Sequence, residues 1–94
     1  MTNLENALDL PLRQILPVMQ TRMLRRSTYF GVPAVKNPND FWVYQEIIHA
    51  QRPDFIIEIG NYYGGSTLAL AHLCDLLGHG HIIGLDISHE HVPP

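Results

Sequence analysis

Phe55-Ile-Ile-Glu-Ile-Gly-Asn-Tyr-Tyr-Gly-Gly-Ser66 opens with five residues, four of them apolar and three β-branched, and then breaks into a glycine-rich loop. A short apolar run of this kind suits a strand buried on both faces, which is the habit of parallel sheets covered by helices above and below. The loop from Gly60 to Gly65 leads into Ser66 and a run from Thr67 to Leu77, in which Leu70, Leu73, Cys74 and Leu77 line one side of a helix. Gly78 supplies a stop, and His81-Ile-Ile-Gly-Leu-Asp86 reads as a second buried strand. Strand, glycine loop, helix and strand form a βαβ unit, which places the carboxyl ends of both strands at one edge of the sheet, where such folds bind ligands.

Three features meet at that edge: the glycine loop, the free amides at the start of the following helix, and Asp86. Gly60 permits a tight turn out of the strand, while Gly64 and Gly65 let the backbone pass close to a ligand and to the helix. Asp86 lies 21 positions after Gly65, near the spacing of about 20 at which an acid accepts hydrogen bonds from ribose hydroxyls. A dinucleotide fingerprint would place its second glycine where this chain has Tyr62, which speaks against NAD. S-adenosylmethionine has the ribose without a phosphate and carries a cationic amino-acid end, which suits an acid such as Glu58. The candidate cofactor contacts are therefore Glu58, Gly60, Asn61, Tyr62, Tyr63, Gly64, Gly65, Ser66, Asp86 and Ile87. Glycine turns and terminal acids also occur in α/β proteins that bind nothing there, so the loop by itself is a weak signal.

Working back from the strand, Arg52-Pro-Asp54 is a turn, and Phe41, Tyr44, Ile47, Ile48 and Gln51 fall at helical spacing behind an amino-terminal cap at Asn39 or Asp40. Residues Ser27 to Asn39 have no regular period and are punctuated by Gly31, Pro33 and Pro38, which predicts an ordered loop or extended arm. Leu8, Leu12, Ile15, Leu16, Met19 and Met23 suit an amphipathic helix that Pro11 and Pro17 should break or delay. The chain thus divides into an amino-terminal helix and arm, 1–39, and the first part of a ligand-binding domain, 40–94.

Composition removes several classes of function. A hydrophobic fraction of 46% with 16% charged residues is near ordinary globular usage and argues against a disordered chain. Net charge is −3, and the cluster Arg22, Arg25 and Arg26 is too small for a phosphate-backbone footprint, so no nucleic-acid partner is expected. Met1 to Leu10 holds Glu5 and Asp9 without an apolar core, matching neither a signal peptide nor a membrane span; the expected compartment is the cytoplasm. Cys74, alone and in an apolar helical stretch, reads as a small buried hydrophobe. His79 with His81, and His89 with His91, raise the idea of a ferrous site of two histidines and a carboxylate, but no third element is spaced to complete it, and no metal ligands are assigned. Trp42 and Tyr44 read first as core aromatics, with Tyr44 and Lys36 kept as weaker substrate candidates.

Lys36-Asn-Pro-Asn-Asp-Phe-Trp-Val-Tyr-Gln-Glu-Ile-Ile48, Arg52-Pro-Asp54, Glu58-Ile-Gly60, Gly64-Gly-Ser66 and Gly84-Leu-Asp-Ile87 together resemble the cephalosporin hydroxylase / rhamnosyl O-methyltransferase family, over roughly residues 22 to 88. The resemblance implies an α/β, Rossmann-like methyltransferase fold that uses S-adenosylmethionine. It implies transfer of a methyl group to a hydroxyl of a sugar, glycolipid or antibiotic-type small molecule, in lipid biosynthesis for the glycolipid case. It also implies a divalent metal, Mg2+, near the acceptor, whose ligands and the general base would come from later strands. At 94 residues the chain lies under the usual domain range of about 100–150. It is expected to be a truncated, catalytically inactive form. Two alternatives stand beside this: a noncatalytic association module, joined as a homo-oligomer or through exposed sheet edges, and a metal-dependent hydroxylase.

Overall fold

The computed structural model describes residues 3–88 and residue 90. A 3-10 turn at Leu4–Asn6 precedes helix α1, Leu12–Arg26. Strands β1, Thr28–Tyr29, and β2, Val32–Pro33, make a small hairpin, followed by helix α2, Pro38–Gln51. The expected unit comes next: β3, Phe55–Ile59; α3, Gly65–Leu77; and β4, His81–Leu85. β3 and β4 are parallel neighbours, with Phe55 opposite His81, Glu58 opposite Gly84 and Ile59 opposite Leu85. The α/β class is as the sequence predicts.

Proline and glycine set the boundaries. Pro11 stands immediately before α1, which does start late, and the helix then runs through Pro17 without ending. Pro17 removes one backbone donor but fits a helical φ, so a helix can continue past it at a cost in stability. α2 begins earlier than the Asn39 or Asp40 cap predicted. Asn37 is the cap, its side chain accepting from the Asn39 amide at 2.9 Å, with Pro38 as the first helical residue. A proline there has no amide to satisfy and is already at a helical φ. α3 closes at Gly78, φ +66°, with the His79 amide reaching back to the Cys74 carbonyl at 3.1 Å.

The arm is more ordered than its irregular sequence suggests. Thr28 pairs with Pro33 and Tyr29 with Val32, around a two-residue turn in which Phe30 (φ +48°) and Gly31 (φ +80°) are both left-handed. Positive φ at both central residues is the mark of a type I′ hairpin turn, which matches strand twist. The hairpin lies against α3, where a Cβ on Gly65 would sit 2.5 Å from the Val32 carbonyl oxygen and 2.6 Å from that of Pro33. The Tyr29 hydroxyl and His72 Nδ1 share a hydrogen bond at 2.7 Å.

Burial corrects two expectations. Ile48, Ala69, Leu70 and Cys74 are buried, so Cys74 is the small core residue predicted. β3, however, is not covered on both faces: Glu58 is buried, whereas Phe55, Ile57 and Ile59 are 63, 62 and 83% exposed, with Ile83 and Leu85 beside them. Among the described residues, α3 packs on the sheet and no helix covers the odd-numbered face. Trp42, read as a core aromatic, is also exposed, while Phe41 and Tyr44 pack edge to face at 5.8 Å.

Candidate functional site

The carboxyl ends of β3 and β4 are joined by the Gly60 amide, which donates to the Leu85 carbonyl at 2.6 Å. From there the loop turns through Gly60 (φ +81°), Tyr62 (φ +49°) and Gly64 (φ +91°) into α3. Asp86 follows β4 directly and clamps this loop. Its Oδ2 accepts from the Tyr62 amide at 2.9 Å, and its Oδ1 from the Ile87 amide at 2.7 Å. Strand end, acid and loop are thereby one unit, at the edge the sequence indicates. The first amides of α3 precede its first backbone bond, made by Leu68 to the Gly64 carbonyl, and so face the same edge as hydrogen-bond donors.

Glu58 is 8% exposed and lies under the first turn of α3, where the Ser66 hydroxyl donates to Oε2 and the Thr67 hydroxyl to Oε1 at 2.6 Å. Two donors on a buried carboxylate offset the desolvation its charge would otherwise suffer. Its negative charge is thus fixed beneath the loop rather than presented at the surface. Thr67 was not among the predicted residues, since an isolated threonine in a helix carries no signal of its own.

Asn61 lies over β4. A Cβ on Gly84 would meet the Asn61 side chain at 3.1–3.4 Å, so the glycine makes room for it. An isolated glycine inside a strand is the sequence signal for such an approach. Asn61 Oδ1 is buried and has no hydrogen-bond partner among the described residues. Tyr62 and Tyr63 stack edge to face at 4.7 Å, Tyr62 half exposed and Ile87 fully exposed.

Gly65, by contrast, faces inward: the backbone that passes close to it is the chain's own β2. Lys36 and Tyr44 line a groove along β3 with Ile57, Glu58 and Ile59, while the Glu58 carboxylate itself is bonded to Ser66 and Thr67. His79 Nε2 lies 2.9 Å from Asp54 Oδ1, on the opposite side of the unit from the loop, and His89 and His91 lie outside the described residues. Among the described residues no group of three His, Cys, Asp or Glu side chains is placed to hold a metal. Nor is any helix long and apolar enough to cross a membrane.

No solved structure matches the chain. Among curated proteins it is 35% identical to the rhamnosyl O-methyltransferase of Mycobacterium leprae over 69 residues, 72% of this chain and 30% of that protein. Proteins of the same name from Mycobacterium tuberculosis and Mycobacterium bovis are 34% identical over 70 residues, 73% of this chain. The matched stretch thus spans less than a third of those relatives. A family profile, Rhamnosyl O-methyltransferase/CmcI, matches residues 21–94, which takes in the hairpin, α2, the loop and both parallel strands, and on that match the chain belongs to this family.

Proposed function

We propose that the carboxyl edge of β3 and β4 is the cofactor half-site of an S-adenosylmethionine-dependent O-methyltransferase whose acceptor is a hydroxyl of a sugar, such as the rhamnosyl group in the relatives' name. The observation that carries this reading is the Asp86 clamp on the Tyr62 amide, which holds an acid and a glycine loop in one rim at the place where α/β folds take ribose. Asp86 already accepts from the Tyr62, Ile87 and Ser88 amides, so ribose hydroxyls would join or displace these bonds on the same carboxylate. The unpartnered Asn61 Oδ1 suits a ligand with N–H or O–H donors, and the fixed charge of Glu58 favours a cationic one.

Bound there, S-adenosylmethionine would supply an electrophilic methyl group. The chain's own part is to orient: Asp86 and Asn61 by hydrogen bonds, Tyr62 and Tyr63 by aromatic contact, and the first amides of α3 by their dipoles. Lys36 and Tyr44, beside Glu58 in the groove along β3, are the candidates for contact with the acceptor. Magnesium is given no ligand among these residues, and no step is assigned to it.

Calorimetric titration tests the reading. The chain should bind S-adenosylmethionine saturably and NAD not at all, and Asp86→Ala should weaken binding about tenfold or more. A folded sample that binds neither ligand, or an Asp86→Ala variant that binds as the parent does, would refute it. A second reading, association through the uncovered face of β3 and β4, is favoured by the exposure of Ile57 and Ile59. Sedimentation separates the two, because association would be concentration-dependent and indifferent to S-adenosylmethionine.

A further inference from the structure

We propose that α1 is an interfacial helix that docks the protein on an anionic phospholipid surface. Its apolar residues Leu12, Ile15, Leu16, Met19 and Met23 recur at the spacing of one helical stripe. Ile15 is buried, but Leu12, Leu16 and Met19 are 67, 46 and 37% exposed. The main packing partner of α1 is the short Leu4–Asn6 turn, which leaves that stripe largely uncovered.

Charge identifies what covers it. α1 contains Arg13, Arg22, Arg25 and Arg26 and no acid; indeed residues 10–39 contain none of the chain's 9 acidic residues. Arg22 is tied to Glu5, Arg13 borders the apolar stripe on one side, and Arg26 falls within the stripe at the carboxyl end of the helix. The remainder of the chain is acidic, which outweighs α1 in a net charge of −3. An anionic bilayer would attract α1 and repel the rest, so one orientation is favoured over others. A basic helix with exposed apolar residues on one stripe is the pattern of segments that lie in the interface plane, and at 15 residues α1 does not span. The family match starts at residue 21, so most of the apolar stripe precedes it. Arg22, Arg25 and Arg26 lie within the match, and the docking proposal stands on α1 alone, independent of the cofactor reading.

The test is co-sedimentation of the full chain with vesicles of phosphatidylcholine alone and of phosphatidylcholine mixed with phosphatidylglycerol, at low and high salt. Binding is expected with the anionic vesicles only, and is expected to be released by salt. Each arginine near the surface contributes about fivefold to partitioning, so Arg13→Glu with Arg26→Glu should reduce it at least tenfold. Leu12→Ser with Leu16→Ser should weaken it at unchanged charge. Helical dichroism reports whether the variants fold, and should either unfold, the salt and lipid dependence of the parent chain decides. Equal binding to both vesicle types, no binding to either, or anionic binding unmoved by the arginine changes would each overturn the proposal. So would retention on an acidic polypeptide without any partition into vesicles.

Discussion

Gly65 carries more of the structure than its position in a ligand loop implies. Any side chain there would enter the space of the Val32 and Pro33 carbonyls, which are backbone atoms and cannot rotate away. Gly65→Ala should therefore destabilise the chain by about 1–3 kcal/mol, read as a lower denaturant midpoint. It should also shift the His72 ring resonances as the hairpin lifts from α3. Asp86→Ala should leave that midpoint less affected, because what it releases is the exposed loop. The placement of Glu58, Gly60, Gly64 and Asp86 at the carboxyl edge was legible from residue type and spacing alone. Thr67 was not, and the inward role of Gly65 could not be, since both depend on segments that meet only after folding.

At the scale of elements, β3, α3 and β4 were readable because each carries a signal of its own: a β-branched run, a helical period, a glycine stop. The β1–β2 hairpin was not, because two-residue strands have no period and Phe30 is a poor advertisement for a left-handed turn position. The prediction that β3 is buried on both faces failed for a related reason. Composition states what a strand is suited to, while cover depends on what else is present to pack on it. α1 offers a direct test of local stability. Pro17 deprives the Arg13 carbonyl of its helical donor, so Pro17→Ala should raise helicity and stabilise α1 by up to about 3 kcal/mol, measured by thermal dichroism at the helix band.

The whole molecule is extended for its length. Its radius of gyration is 15.6 Å, against about 12 Å for a compact domain of this size, and none of its large side chains among the described residues is fully buried. Surface ties then matter to the amino-terminal turn. Glu5 accepts from Arg22 at 2.5 and 2.6 Å, and those bonds, followed by a backbone hydrogen bond, hold its carboxyl at about 2 instead of 4.5. Because the folded value is depressed, this tie is complete above about pH 4.5 and is lost as pH falls through about 2. A carbon-detected titration should find Glu5 in that low range, and Arg22→Ala should return it toward 4.5. The hydrogen bond between Tyr29 and His72 joins residues 43 positions apart, and this bears on the order of assembly. A hairpin of two-residue strands is too small to persist alone, and its support is the helix that follows the glycine loop. During synthesis the arm must therefore wait, exposed and unpaired, until the ribosome has delivered α3, so hairpin formation is a late event rather than a nucleus.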